Sequence, residues 1–374
     1  MMRIVVTGSG GLIGWHAHVR LHAFNCAARF HGDAEPYDIV ALDHAGFDDD
    51  RRLHDAVVGA DAVLHFAGVN RAPDDEIEDA NPSVARRLVE ACCAAEATPH
   101  IVYANSVHSA GNTPYGHSKR RAGQILAGAP GRYTDLVLPH IFGEGARPFY
   151  NNVTATLIAQ ILAGEKPTIN PDGHVGLLHA GAAAQLAIDA VLEGNTGRIE
   201  PESRHISVLD LHEILKGFHV GYLSNIYPDL SDPFRRNLFN CYRAATYPDD
   251  WPRRLQLYTD PRGTLYEAVK GGGGGQTFLS STRPGVTRGD HFHLHKVERF
   301  LVVQGEAIIR LRKVLTEEVW EYQVSGDTPA PIDMPTLHTH SIENIGNADL
   351  LTLFWTHELF DPANPDTFAD KVLK

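Results

Sequence analysis

The sequence has little cysteine and no long hydrophobic run. Only four of its 374 residues are cysteine, and none forms a Cys-x-x-Cys pair, so neither a disulfide framework nor a cysteine-based zinc site is expected. No apolar stretch approaches the roughly 20 residues that cross a bilayer, and the first residues run into glycines too early for a signal peptide. We therefore expect a reduced, cytoplasmic protein with no membrane partner.

The chain also lacks an excess of positive charge. Its 46 acidic and 33 basic residues give a formal net charge of -13, which argues against binding to nucleic acid. An anionic small ligand is still compatible with this charge, because backbone amides and a few arginines can hold one. Histidine is abundant, at 22 residues, and several histidines cluster in the last quarter of the chain.

Short apolar runs alternate with helical patterns in the first half of the chain. This alternation predicts a Rossmann-type, doubly wound parallel sheet with helices on both faces. The predicted strands are 3–7, 39–43, 62–67, 100–104 and 134–138, and the predicted helices include 12–29, 81–95, 152–162, 180–192 and 208–215.

The pattern changes near two prolines at positions 248 and 252, which predict a linker. Beyond them, runs of period two and frequent turn residues predict an all-β domain, a barrel or double-sheet jelly roll. We therefore expect domains at 1–246 and 247–374. Five consecutive glycines, Gly271 to Gly275, are interpreted as a flexible connection.

A glycine motif lies between the first predicted strand and the first predicted helix. Gly8, Gly11 and Gly14 form Gly-x-x-Gly-x-x-Gly, which allows a tight turn and brings the backbone close to a pyrophosphate. The helix that follows, beginning at Leu12 and Ile13, supplies free N–H groups. The motif predicts dinucleotide binding.

Two further segments are expected at the same edge of the sheet. Asp43 ends the second predicted strand, where a carboxylate accepts a hydrogen bond from the adenosine ribose and favours NAD over NADP. The alternative is that Asp43 caps a helix or turn. Phe66, Ala67 and Gly68 end the next unit, and the small residues there let a cofactor approach closely.

A tyrosine and a lysine lie four residues apart, at Tyr115 and Lys119, and so share one face of a helix. The ammonium would lower the pKa of the phenol, which can then protonate a carbonyl oxygen while hydride arrives at carbon. Ser106 follows the fourth predicted strand and can hydrogen-bond the same oxygen. We predict that these three residues are catalytic and that Lys119 also binds the cofactor.

Taken with the glycine motif and His65-Phe66-Ala67-Gly68, these residues make the first 246 positions resemble an extended short-chain dehydrogenase/reductase. The resemblance implies an NAD(P)-dependent oxidoreductase.

The histidine-rich region has the spacing of metal ligands. His291 and His293 are two apart and face the same way on a strand, Glu298 follows five residues later, and His340 lies in a later segment. Three imidazoles and one carboxylate can bind a divalent metal, and zinc suits them best. The alternative is a pair of surface histidines and one core histidine.

The spacing from Gly285 to Gly305 resembles the first cupin motif, and residues 335–344 resemble the second. A reductase followed by a cupin, with shorter motifs at 65–71, 112–116 and 360–362, resembles the CapF-like family of capsular polysaccharide enzymes almost end to end. That resemblance implies C3 epimerisation of a UDP-linked 2-acetamido-2,6-dideoxy-hexos-4-ulose in the cupin, followed by NADPH-dependent reduction at C4. We also expect a homodimer.

Three positions depart from the family pattern. Asp43 stands where a basic residue for the NADP phosphate is usual, so both NADH and NADPH are considered. His338 stands where tyrosine is expected, and residues 178–182 lack the aspartate usual in extended reductases. His295, Lys296 and His338 are the candidates for the base that removes the C3 proton.

Three functions follow from these patterns. The first is a bifunctional nucleotide-sugar epimerase and reductase. The second is a reductase whose cupin is purely structural or dimerising. The third is a metal-dependent oxygenase on a degenerate cofactor domain, against which the intact Ser106, Tyr115 and Lys119 argue.

Overall fold

Residues 1–374 are described by a computed structural model. None of the helices combines the length and apolar character that crossing a membrane requires. The helices are α1 (Leu12–His31), α2 (His44–Asp48), α3 (Asp50–Val57), α4 (Asp74–Ala94), α5 (Pro114–Ala127), α6 (Val153–Leu162), α7 (Ala180–Glu193), α8 (Val208–Leu223) and α9 (Pro233–Ala244), with a 3-10 turn at Val107–Ala110.

The strands of the first 210 residues are β1 (Met2–Thr7), β2 (Tyr37–Leu42), β3 (Ala62–His65), β4 (His100–Ser106), β5 (Arg132–Leu138), β6 (His140–Phe142), β7 (His174–His179), β8 (Gly197–Ile199) and β9 (Arg204–Ser207). The later strands are β10 (Ile226–Tyr227), β11 (Leu257–Asp260), β12 (Gly263–Tyr266), β13 (Lys270–Gly271), β14 (Gln276–Thr282), β15 (Thr287–Phe292), β16 (Glu298–Gln304), β17 (Glu306–Lys313), β18 (Val319–Ser325), β19 (Ile332–Met334), β20 (His338–Asn344), β21 (Leu350–Thr356) and β22 (Phe368–Ala369).

The chain forms two compact units. The first comprises residues 1–156 and 169–208, and the second comprises 157–168 and 209–374. Residues 209–246, which the sequence-based boundary at 246/247 assigned to the first domain, thus belong by their contacts to the second unit. The domain limits 1–246 and 247–374 stay a prediction.

The first unit contains a six-stranded parallel sheet in the order β2-β1-β3-β4-β5-β8. Helices α1 and α7 pack their alanines and leucines on one face, and α3, α4 and α5 pack on the other. The predicted Rossmann-type parallel sheet is confirmed. The carboxyl ends of its strands meet at one edge, where ligands bind in such folds.

Helix α4 begins seven residues before its predicted start. Asp74, Asp75 and Glu76 occupy its first turn, where negative charge is favourable at the positive end of the helix dipole. Pro82 lies inside the helix, although proline is more typical of a first turn. The proline therefore made the sequence indicate a later start.

The second unit is rich in β-structure, as predicted. A four-stranded sheet in the order β14-β21-β16-β19 and a five-stranded sheet in the order β18-β17-β20-β15-β22 are both antiparallel. Rings from the two sheets touch: Phe300 of β16 lies with its centroid 5.5 Å from that of His340 on β20. The specific cupin barrel stays a prediction.

A buried charge network joins residues 209–246 to the four-stranded sheet. Asp333 on β19 is fully buried and accepts hydrogen bonds from Arg299 Nε at 2.5 Å and from the hydroxyls of Tyr222 and Tyr227. The Arg243 guanidinium on α9 donates to a β19 carbonyl at 3.1 Å. A buried ion pair needs all its hydrogen bonds satisfied, and Tyr222 of α8 and Tyr227 of β10 supply them to Asp333 here.

The predicted linker around residue 250 is packed within the second unit. Trp251 is 6% exposed, and its indole N–H donates to Thr246 Oγ1 at 3.0 Å. The ring of Tyr247 stacks on Trp251, with centroids 5.2 Å apart, and on Trp320 of β18 at 5.8 Å. The two prolines thus mark a turn of the chain, while the aromatic residues beside them fix it to the sheet.

Candidate functional site

The glycine segment between β1 and α1 leaves the start of α1 open to an anion. Gly8 has a φ of +66°, and a Cβ on Gly14 would lie 2.1 Å from the Gly8 carbonyl oxygen, so both positions require glycine. The N-cap residue, Gly11, gives no side-chain hydrogen bond, and the first turn, which begins at Leu12 and Ile13, has no acidic residue. Its N–H groups therefore fit a dinucleotide pyrophosphate.

The segment 66–68 is fixed beside this glycine turn. The Ala67 N–H donates to the Thr7 hydroxyl at 3.2 Å. Buried Asn81 of α4 accepts from the Val69 N–H at 2.9 Å and donates to the Val69 carbonyl at 2.8 Å. Asn81 was not predicted as a site residue, because the sequence pattern indicated only that a helix starts there.

Asp43 follows β2, as expected of a ribose-binding residue, but it is also a helix cap. Its Oδ1 accepts a hydrogen bond from the Gly46 N–H at 2.7 Å, at the start of α2. The Arg52 guanidinium lies close by: a Cβ on Gly46 would be 3.0 Å from Arg52 Nη2 and 3.1 Å from Asp43 Oδ1. A carboxylate and a guanidinium therefore lie side by side at the sheet edge after β2. The sequence pattern had indicated Asp43 but not Arg52.

Ser106, Tyr115 and Lys119 come together at the end of β4. Helix α5 starts at Pro114 and is capped by Thr113, whose hydroxyl accepts from a backbone N–H at 3.1 Å. This start places Tyr115 and Lys119 one turn apart on the same helix. Ser106 closes β4 and lies near enough to the Tyr115 hydroxyl to lower its pKa. The arrangement has the polar groups that protonation of a carbonyl oxygen requires.

The electrostatics differ from the expected lowering of the pKa of Tyr115 by Lys119. Burial raises the pKa of Tyr115, and Ser106 opposes this rise. The Lys119 ammonium instead donates to the Ala104 carbonyl at 2.6 Å and lies 4.2 Å from the ring centroid of Tyr103. Burial lowers the pKa of Lys119 to about 7, so its positive charge is itself reduced near neutral pH.

Segment 178–182, which lacks the aspartate usual in extended reductases, contains a histidine that caps a helix. His179 Nδ1 accepts from the Gly181 N–H at 3.2 Å and so caps α7. Its Nε2 then carries the proton and donates to the buried Glu144 carboxylate at 2.8 Å. His179 thus caps α7 and holds a buried carboxylate in the segment that lacks the aspartate.

The four predicted metal ligands converge between the two sheets of the second unit. One ligand atom each from His291, His293, Glu298 and His340 lies within 4.8 Å of all the others. Burial alone would raise the pKa of Glu298, but the imidazoles of His293 and His340 lower it well below its usual value. An ionised carboxylate buried among imidazoles is a donor set that divalent zinc prefers.

Each imidazole also has the orientation of a metal ligand. His293 Nδ1 donates to the Asp366 carbonyl at 2.5 Å, and His340 Nδ1 to the His338 carbonyl at 3.3 Å; His291 is hydrogen-bonded to a backbone group at Gly289. Such bonds to one ring nitrogen leave the other with its lone pair free for a metal. The Nε2 atoms of His293 and His340 lie 3.1 and 3.3 Å from the same oxygen of the Glu298 carboxylate, so the three donor atoms face one another, as in a ligand set.

The three candidate bases have different surroundings. His295 Nδ1 faces the Asp366 carboxylate at 3.2 Å, and Lys296 Nζ donates to the Pro365 carbonyl at 2.6 Å. His338 precedes His340 by two residues on β20, so both side chains point to the same face. The ring of His338 stacks on Trp320, with centroids 5.4 Å apart.

Asp366 supports the histidine cluster and was missed as a site residue. Its carboxylate accepts three consecutive backbone N–H groups, from residues 294, 295 and 296, at 2.8–3.0 Å. These bonds fix the turn between His293 and Glu298. Because Asp366 lies about 70 residues away in the sequence, no local spacing pointed to it.

Comparison with known proteins identifies the class. A model of the NAD dependent epimerase/dehydratase family matches residues 4–193, just over half of the chain, and the polysaccharide biosynthesis C-terminal domain matches residues 258–368. The chain therefore belongs to the NAD dependent epimerase/dehydratase family.

Within that class, the chain is 29% identical to a UDP-2-acetamido-2,6-beta-L-arabino-hexul-4-ose reductase of Pseudomonas aeruginosa, with 99% of each chain aligned. The crystal structure of the capsular polysaccharide assembling protein CapF from Staphylococcus aureus matches 99% of this chain and 100% of that one, at 28% identity and a TM-score of 0.57. The predicted CapF-like resemblance is confirmed.

The fold of part of the chain occurs in other proteins as well. A dTDP-4-dehydrorhamnose reductase of Bacillus anthracis, crystallised with NADP, covers 59% of this chain and 82% of its own at 16% identity and a TM-score of 0.50. At that identity the match shows the fold alone.

Proposed function

We propose that this protein is a nucleotide-sugar 4-keto reductase that uses NAD(P)H in the synthesis of surface polysaccharide precursors. The observation that carries the proposal is the convergence of Ser106, Tyr115 and Lys119 at the sheet edge that also holds the open glycine segment. Similarity over the full length to a reductase of a UDP-linked hexulose supports a UDP-linked 2-acetamido-2,6-dideoxy-hexos-4-ulose as substrate.

The reductase step needs a proton donor and an orienting group at the C4 oxygen. The dinucleotide, when bound, supplies hydride to C4. Tyr115 donates its phenolic proton to the oxygen, and Ser106 hydrogen-bonds the same oxygen and holds it in line. Lys119 stabilises the phenolate that remains and binds the cofactor ribose.

We further propose that the second unit is a cupin that inverts C3 before reduction. The proton at C3 is acidic because it lies next to the C4 ketone. A divalent ion, zinc by its donor set, would stabilise the charge that develops on the C4 oxygen. His291, His293, Glu298 and His340 would hold that ion, and their hydrogen bonds to backbone carbonyls keep the imidazoles in place.

The alternative is a reductase whose cupin is structural or dimerising. The convergence of four ligand atoms, all within 4.8 Å of one another, favours a metal in either case. Removal of the metal distinguishes the catalytic cupin from the structural one. Exchange of the C3 proton stops if the cupin is catalytic, whereas only the stability of the protein falls if the cupin is structural. In both cases we propose a homodimer.

The decisive experiment is product analysis. The full-length protein incubated with UDP-4-keto-6-deoxy-hexosamines and NADPH or NADH should give a C4-reduced sugar with inverted C3, identified by NMR. The same incubation without reduced cofactor should exchange C3 hydrogen and leave the ketone. A product reduced at C4 with C3 retained would support the structural-cupin alternative, and consumption of oxygen in place of reduction would contradict both.

The cofactor preference should depend on the charge of Asp43. We expect a slight preference for NADH, because the carboxylate repels a 2′-phosphate, whereas the family resemblance implies NADPH. In Asp43→Asn, which keeps the capping oxygen, the ratio of kcat/KM for NADPH over NADH should rise about tenfold, the factor for ~1.4 kcal/mol. Steady-state kinetics with both cofactors measures this ratio. The matched control is Asp48→Asn, which removes an exposed carboxylate of α2. A large NADPH advantage in the parent protein, unchanged in Asp43→Asn, would show that Asp43 does not face the ribose.

A further inference from the structure

The second unit contains a cavity that neither the reductase residues nor the histidine cluster uses. Its volume is about 280 Å³. The lining comprises residues 228–231 between β10 and α9, Arg236 of α9, glycines of the segment 271–274, and Trp355, His357 and Glu358 at the end of β21. The volume lies just below the roughly 300–1,000 Å³ of pockets for drug-sized ligands, so it suits a smaller molecule.

The cavity lies on the opposite face of the sheet from the histidine cluster. Thr356 pairs directly with Glu298 across β21 and β16, so their side chains share the face that points to the cluster. Trp355 and His357 flank Thr356 and therefore point the other way. The ring of Trp355 contacts Tyr227, with centroids 4.4 Å apart. The two sites are thus separated by the thickness of the sheet.

Arg236 is the group in this cavity that lacks an acceptor. Its Nε is buried and has no hydrogen-bond partner. Arg299 and Arg312, two buried arginines of the same unit, are paired with Asp333 and Asp370, whereas buried Arg243 also leaves Nε and Nη1 without a partner. Burying a guanidinium N–H without an acceptor destabilises the folded protein unless an anion binds there and accepts the hydrogen bond. This N–H has no acceptor although the net charge of the protein, -13, reflects an excess of carboxylates.

Further donors surround Arg236. His357 Nδ1 accepts from the Val297 N–H at 3.1 Å, so its Nε2 carries the proton. Gly274 faces open space, since a Cβ there would meet no atom within 4 Å, and its backbone can approach a ligand closely. Guanidinium, imidazole N–H and glycine amides together are the groups that bind phosphate.

The rim of the cavity carries hydrogen-bond acceptors. Glu358 is one-third exposed and lies 3.5 Å from His357 Nε2, and Asp229 is exposed beside Gly273, with one oxygen bound to the Ser231 N–H at 2.9 Å. Carboxylates accept hydrogen bonds from hydroxyl groups but repel a second anion. The site therefore suits a ligand with one anionic group and several hydroxyls.

We propose that this cavity binds a phosphorylated monosaccharide, with its phosphate on Arg236 and the glycine amides and its hydroxyls on Glu358 and Asp229. The five-glycine segment is then a wall of a binding site, and its lack of side chains leaves the volume that the ligand fills. The site lies in the second unit, away from the reductase residues, so its occupancy is independent of the reductase chemistry; on its other side Glu358 lies 3.9 Å from His295, one of the candidate C3 bases.

Isothermal titration of the full-length protein with glucose 1-phosphate tests the proposal. We expect one site per chain, and binding at least about tenfold weaker in Arg236→Gln, because a hydrogen bond to a charged group contributes that much. Arg235→Gln is the matched control: it removes the same charge one residue away, from a side chain that lies over the ring of Phe218, and should bind as the parent does. Inorganic phosphate should bind at least about fivefold more weakly than the sugar phosphate, since it lacks the hydroxyls.

Three results would overturn the proposal: no binding by the parent protein, equal weakening in Arg235→Gln, or binding that persists in Arg236→Gln. Equal affinity for inorganic phosphate would overturn the assignment of the sugar. Arg236→Gln should keep the melting temperature and the reductase kcat of the parent. A result that contradicts sugar-phosphate binding at this cavity is therefore distinguishable from a result that contradicts the proposed reductase function.

Discussion

Replacing Tyr115 with phenylalanine should abolish reduction while leaving cofactor binding intact. The variant removes the proton donor at the C4 oxygen, and general acid catalysis by a positioned group contributes roughly 10²- to 10⁴-fold. We expect kcat to fall within that range and the dissociation constant of NAD(P)H to stay within about twofold, since the glycine segment is untouched. Loss of NAD(P)H absorbance measures the first quantity and fluorescence titration the second.

Tyr103→Phe is the matched control for this experiment. It removes the same hydroxyl group from a tyrosine of β4, the strand that Ser106 ends, and the oxygen of this tyrosine is buried and has no hydrogen-bond partner. The phenylalanine ring keeps the contact with the Lys119 ammonium. This control should retain the parent activity and lose no stability, because an unsatisfied buried group is removed. Parent turnover in Tyr115→Phe would refute the assignment of Tyr115.

Replacing His293 with alanine should separate the two proposed activities. Three ligand side chains would remain, and the affinity for the ion should fall by more than the roughly 10- to 100-fold that loss of an outer hydrogen-bond partner causes. Exchange of the C3 hydrogen should stop, and the β-rich unit should lose stability, because a bound metal contributes to folding. Reduction of a ketone that already has the right C3 configuration should persist, because Ser106 and Tyr115 belong to the other unit.

Deuterium incorporation at C3 in heavy water, with no reduced cofactor, measures the exchange, and elemental analysis measures the metal. Reductase activity of the same preparation serves as the internal control for folding. Exchange in His293→Ala as fast as in the parent would place epimerisation away from the cluster and favour the structural-cupin alternative. Parent metal content in the variant would contradict the ligand assignment itself.

The parts of the fold and site that the sequence predicted are those encoded locally. The strand–glycine–helix unit at residues 3–29 depends on neighbours in the chain, and so does the four-residue spacing of Tyr115 and Lys119. The histidines at 291 and 293 share a face through the two-residue period of a strand. For these, position in the sequence already constrains position in space.

The parts that were missed depend on contacts between distant residues. Asp366 reaches the turn after His293 from about 70 residues away, and Arg52 lies beside Asp43 through the packing of two short helices. The electrostatics of Tyr115 also could not be read from spacing. Helical periodicity placed Lys119 near it but gave neither its burial nor its bond to the Ala104 carbonyl.

The buried Asp333 network has a consequence for how such a two-part gene is assembled. The acceptor of that network lies on β19, and its donors Tyr222 and Tyr227 lie in α8 and β10. A recombination joint placed at the apparent linker near residue 247 would leave the Arg299–Asp333 pair without these hydroxyls and would remove the helices that cover it. A joint at residue 247 would therefore cut through the second unit, which takes in residues 209–246 and also residues 157–168.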